Sequence, residues 1–275
     1  MSSQHTWADE VWTDPDGGKV VIHGTLPPVV YPNAMRPRGG WHGLAILDAP
    51  DVVDLWVQEE KDEAESYGIN MTYGLISGGA FSKYLEGIES LEDVQGGRFP
   101  DPEPRRLQRN ADRHERDVFF IEPLADDDDW SDYLTNQAKA VSHWRKLLGM
   151  IRSGKRWKRA VKENLFLAQP PPKGQPNNLS SVSVLASAWW ELNEWLSTPE
   201  LNMRRDVRFA SRIRGALASL REVHGDEAVL LVVAHMPQRP MILEALNNLP
   251  EKEEISSTVT DSKGSEEEGN GIRVS

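Results

Sequence analysis

The stretch Ala228-Val229-Leu230-Leu231-Val232-Val233-Ala234 is an unbroken apolar run that ends on His235. A strand with one face in water alternates polar and apolar residues. A run with no polar face reads instead as a strand covered on both sides, as in a parallel sheet flanked by helices. An α/β fold is therefore the expectation, with a central, mainly parallel sheet, flanking helices and a helical insertion in the middle.

Other segments fit around that strand. Lys19-Val20-Val21-Ile22-His23 reads as a first strand, closed by Gly24 and Pro27-Pro28. Residues 31–43 read as an irregular loop, and Leu44 to Ala49 as a short strand or helix. Asp51 to Val57, after a turn at Pro50, reads as a second buried strand with Glu59 and Glu60 at its end. Asp117 to Pro123 is a further β-type run, and helices are expected from Phe81 to Ile88, Trp130 to Ile151, Leu179 to Leu196 and Pro240 to Leu249. Between Met203 and Val223, the apolar positions Val207, Ala210, Ile213, Leu217 and Leu220 recur at helical spacing. One domain over residues 19–250 is expected, preceded by a flexible segment 1–18 and followed by a disordered acidic tail 251–275 too polar to offset its chain entropy.

Composition narrows the chemistry. There is no cysteine, so disulfides, thiolate nucleophiles and Cys-ligated zinc are excluded. Ten tryptophans supply large core surfaces despite an apolar fraction of 39%. The net charge of −12 opposes nucleic acid and anionic lipid for the molecule as a whole, and with few lysines it suggests a salt-adapted, halophilic source. Neither a signal peptide nor a run long enough to span a bilayer is found, so a cytoplasmic location is expected.

Candidate site residues follow from strand ends, where open α/β sheets bind ligands. His235 ends the most apolar strand, His23 ends the first, and Glu59 follows the segment read as a strand. Imidazole nitrogen and carboxylate oxygen form a workable ligand mixture for a divalent ion such as manganese, zinc or cobalt, and His42 in the glycine-rich loop could join them. The alternative for each is an ordinary structural side chain. Arg145, Lys155, Arg156, Lys158 and Arg159, interleaved with Trp144 and Trp157, make a basic aromatic stretch suited to nucleic acid, or simply a solvated helix face. Gly78-Gly79 lacks the further residues of a phosphate-binding loop.

In order along the chain, Val21-Ile22-His23-Gly24-Thr25, Pro50-Asp51-Val52-Val53 through Glu59, Arg205-Asp206 and Ala234-His235-Met236-Pro237 resemble the motifs of the TraB family, within a superfamily that also holds Tiki and ChaN-type proteins. The resemblance covers both ends of the core and little of residues 65–200. It implies an α/β fold and metal-dependent hydrolysis of peptide-like substrates, with Glu59 and His235 as the matching catalytic positions and His23 or His42 completing a metal set. The chain departs from the family pattern at Leu26-Pro27-Pro28, Arg204 and Val232. Those departures suit a second reading, a non-catalytic partner-binding or regulatory module on the same fold.

Overall fold

The computed structural model describes residues 5–151 and 153–258. A single mixed sheet has the order β1-β2-β5-β3-β4, from β1 (Glu10–Thr13), β2 (Lys19–Thr25), β3 (Gly43–Ile46), β4 (Asp117–Phe120) and β5 (Val229–His235). Only β1 runs antiparallel, so the carboxyl ends of the other four strands share one edge. The apolar run of β5 lies between β2 and β3, the interior position that its lack of a polar face demands.

Helices cover both faces. On one, α5 (Asp128–Ser142), α9 (Pro199–His224) and α10 (Arg239–Asn247) bury Trp130, Tyr133, Phe209, Ile213, Leu217 and Ile242 against Val20, Ile22, Leu230 and Val232. On the other, α1 (Val52–Glu65) and α4 (Pro102–Arg113) place Trp56, Leu107 and Ala111 on Leu44, Val118, Leu231 and Val233. A third cluster joins α3 (Gly79–Glu89) and α8 (Leu179–Leu196) to Leu26, Val29, Tyr31 and Met236, just past the ends of β2 and β5. The helices α2 (Ile69–Ile76), α6 (Trp144–Ile151) and α7 (Ser153–Leu165) complete the set.

Four expectations are corrected. Asp51 to Val57 is not a strand: Val52 opens α1, which buries Trp56 while Leu55 and Val57 stay exposed. That is one-sided burial at helical spacing, and the sheet position is filled by Gly43–Ile46 instead. The helix expected over Trp130–Ile151 is two helices, broken where His143 turns to extended backbone. The N-terminal segment is not loose: Trp12 is buried, β1 pairs with β2, and the His5 ring bridges Ser183 and Asn164. Finally, the start of the tail packs. The Glu253 N–H donates to the Ser211 carbonyl at 3.2 Å and Ser257 donates to Asp117 at 2.8 Å. The remainder of the expected disordered tail, 259–275, lies outside the described residues.

A candidate acid-base site at the carboxyl ends of the strands

The parallel register brings polar side chains to one edge. Thr25 and His235, the last residues of β2 and β5, are register partners. Asp48 lies two residues past β3 and Glu122 two past β4, and the Glu122 N–H donates to the Asp48 carbonyl at 3.2 Å. Asp101 stands at the N-terminus of α4.

Aromatic and ionic groups wall this edge. Trp189 and Trp190 of α8 meet the His235 ring edge-on, with centroids 5.3 and 5.8 Å away. Arg205 of α9 lies over Trp190, 5.3 Å from its centroid, and pairs with Asp206 at 2.7 Å and Glu194 at 2.8 Å. Trp130 and Tyr133 stack at 4.4 Å nearby on α5. Arg205 already covers the Trp190 ring and Trp189 stacks on Tyr84 at 5.8 Å, so the acids of this edge, rather than aromatic faces, favour a ligand carrying positive charge.

Removal from water moves the proton affinities of these groups apart. Burial, reinforced by Asp48 and Glu103, raises Asp101 to about 8. Burial, then the charge of Asp48, raises Glu122 to about 7, with Trp130 and Arg205 pulling the other way. Asp48 rises to about 6 through crowding by protein and the neighbouring Asp51, although its side chain still reaches solvent. Burial alone lowers His235 to about 4, so its imidazole is neutral at pH 7. Asp101 Oδ1 and His235 Nδ1 are shut from water without a hydrogen-bond partner, the state of groups that a ligand would complete. At neutral pH the edge therefore holds a protonated carboxyl, a largely ionised carboxylate and a neutral imidazole, an arrangement suited to proton transfer in both directions.

Of the residues singled out in the sequence, His235 lies on this edge. His23, on the neighbouring strand, is bound by Asp9 at 2.7 Å and meets Tyr31 edge-on at 5.8 Å. Glu59 sits within α1, where burial and then Glu63 and Asp62 raise it to about 7, and its charge is felt by Asp101. His42 is at the other end of the sheet. It accepts the Val229 N–H at 2.9 Å and stacks on His224 at 4.2 Å. The seven residues of β5 therefore separate it from His235, about 20 Å at the rise of a strand. Among the described residues no group of three or more His, Asp or Glu is placed to hold a metal ion.

Sequence reasoning passed over Asp48, Asp101 and Glu122. The rule that selected His235 would have found two of them, because Asp48 and Glu122 are the first acids after β3 and β4. Asp101 had no local signal, since α4 brings it in from between the sheet strands.

The basic stretch forms α7 and part of α6, and the side chain of Arg145 lies outside the described set. Trp157 packs inward on Ala160 and Ala188 rather than offering a stacking face. Arg156 and Lys146 instead occupy Trp195, at 4.2 and 4.7 Å from its ring centroid.

No family model, curated protein or solved structure matches this chain.

Proposed function

We propose that the carboxyl-end edge of the sheet is a hydrolytic site for peptide-like substrates bearing a positive charge, worked by acid-base side chains. The observation that carries this reading is that Asp48 acts electrostatically on both Glu122 and Asp101 at the sheet edge on which β5 ends with a neutral His235 whose Nδ1 has no partner. His235, or the ionised Asp48, takes a proton from the attacking water. Asp101, still protonated at pH 7, gives one to the leaving nitrogen. The ionised carboxylates of the edge hold a cationic substrate group. The resemblance to the TraB family supports peptide-like substrates and implies a divalent ion on Glu59, His235 and His23. These residues do not fit such an ion, because no three donors converge, so no step is routed through it.

A partner-binding module is the second reading, favoured by the same acidic edge, which could hold a basic peptide without turnover. The test is hydrolysis of a panel of lysine- and arginine-containing peptide amides by the full chain and by Asp101→Asn and His235→Phe. Turnover that falls roughly a hundredfold or more in kcat in both variants, with KM little changed, is expected. Basic peptides bound but never cleaved by the full chain would replace the hydrolase with the module. Elemental analysis of the same protein decides on the ion: stoichiometric manganese, zinc or cobalt lost in His235→Ala would restore metal chemistry.

A further inference from the structure

Helix α6 is packed inside out. Lys146 and Gly149 face the protein: Lys146 Nζ donates to the carbonyls of Trp195 and, at 3.0 Å, Ser197. A Cβ on Gly149 would come within 2.7 Å of the Trp195 ring, so the helix backbone sits directly on that indole. Four of its apolar residues point the other way. Trp144, Leu147 and Leu148, at positions i, i+3 and i+4 of one face, are 59%, 46% and 55% exposed, and Met150 is 40% exposed. Amphipathic helices of soluble domains bury that stripe. An exposed stripe of this kind marks a surface awaiting a partner.

Charge indicates what the partner is. Residues 144–165 hold eight Lys and Arg against the single Glu163, within a chain whose net charge is −12. The rest of the molecule is thus far more acidic than the whole, and Arg204, Arg205, Arg208, Arg212 and Arg214 of its other basic stretch are paired with carboxylates. Lys155, Lys158 and Lys162 on α7, the helix that follows α6, are exposed. A short helix face of Trp, Leu and Met flanked by Lys and Arg is the pattern of an element that lies in the headgroup layer of an anionic bilayer.

We propose that α6 and α7 form a peripheral docking surface for anionic phospholipid bilayers. The stripe of α6 enters the headgroup boundary and the lysines of α7 pair with lipid phosphates. This orientation leaves the acidic bulk of the molecule turned away from the membrane. It fits the finding that no helix among the described residues is long and apolar enough to cross one. Nucleic acid is served less well, because Trp157 packs inward and Trp195 is already covered by Lys146 and Arg156.

The test is sedimentation of the full chain with vesicles of pure phosphatidylcholine and with vesicles containing about a third phosphatidylglycerol, at low and high salt. Binding to the anionic vesicles only, weakened by salt and reduced at least roughly tenfold in both Leu147→Glu/Leu148→Glu and Lys155→Glu/Lys158→Glu/Lys162→Glu, is expected. All of these positions are exposed, and unchanged thermal unfolding of each variant shows that the fold is intact. The proposal is overturned by absence of vesicle binding, by equal binding to both vesicle types, or by vesicle binding indifferent to the leucine changes. It is equally overturned if the chain ignores vesicles and instead retards a single-stranded oligonucleotide, or forms a dimer that Leu147→Glu/Leu148→Glu dissolves.

Discussion

The backbone of Glu122 is hydrogen-bonded to that of Asp48, N–H to carbonyl at 3.2 Å, so two carboxylates stand side by side at the ends of adjacent parallel strands. Burial raises the proton affinity of both; the charge of Asp48 raises that of Glu122 further, and the charge of Asp51 that of Asp48. With Asp101 and Glu59 they form a line of acids whose folded-state affinity for protons is raised.

That line gives stability a definite pH slope. Asp101 holds its proton to about 8, and Glu122 and Glu59 to about 7, whereas the unfolded groups release theirs near 4. The folded chain binds more protons, so this stabilisation is complete below about 4 and is lost as pH rises through the folded values. His235, at about 4, and His5 and His42, also lowered, have the opposite sign: they favour the fold above about 6.5 and lose that contribution on acidification. From about 6.5 to 7.5 the unfolded histidines still shed their last protons, a small opposing contribution, and above that only the acids titrate. Stability should therefore fall by about 1–2 kcal/mol between roughly pH 6.5 and 8. Calorimetric unfolding at those pH values should show a smaller fall in Asp101→Asn; an unchanged slope in that variant would remove Asp101 as its source.

His235→Phe separates stability from function. The neutral imidazole makes edge contacts with Trp189 and Trp190, and its buried Nδ1 has no partner. A phenyl ring of similar shape keeps the contacts and removes an unsatisfied polar atom, so urea unfolding at pH 7 should show stability unchanged or raised by up to about 1 kcal/mol. Ligand binding or turnover at this edge should nevertheless be lost. A variant that unfolds easily would mean that the histidine is chiefly structural.

How much of this could be read from the chain depends on where each signal resides. The strand ending at His235 was legible because a run with no polar residue fits only an interior strand. The helix at Val52–Glu65 reads as a strand in sequence because Val52-Val53 and Trp56-Val57 are β-branched or aromatic and the run is short enough for either period. Only packing decides it, with Trp56 inside and its neighbours Leu55 and Val57 in water. Placing Glu59 at a strand end follows from that reading. Asp48 and Glu122 were within reach, each a short step past an apolar run. Asp101 was not, because its place beside Asp48 is made by tertiary packing of α4 and by nothing local in Phe99-Pro100-Asp101-Pro102.

Arg214 anchors the N-terminal segment that its sequence made look loose. It binds both oxygens of Asp14, at 3.0 and 3.2 Å, and reaches Asp16 at 3.1 Å. The Arg214 and Asp14 side chains are 8% and 0% exposed, so Arg214→Met strands a buried carboxylate. The expected loss is about 3–5 kcal/mol in equilibrium unfolding, with partial recovery on adding Asp14→Asn. Additive losses in the double variant would show that the two residues act independently.

Gly215 sets helix propensity against packing. It lies inside α9, where alanine would ordinarily stabilise by about 1 kcal/mol. A Cβ there would meet the Glu253 carbonyl oxygen at 1.7 Å, a distance that forces the strap formed by residues 251–257 off the helix. The displacement would also break the contacts of the Glu253 carboxylate with Arg208 at 2.9 Å and Arg212 at 2.7 Å. Gly215→Ala should therefore destabilise by about 1–3 kcal/mol and expose the strap to protease. In a chain truncated before Glu251 the clash is gone, and the same substitution should become stabilising. Denaturant unfolding of the four proteins gives the sign directly: destabilisation that persists after truncation would place its cause within α9 rather than in the strap.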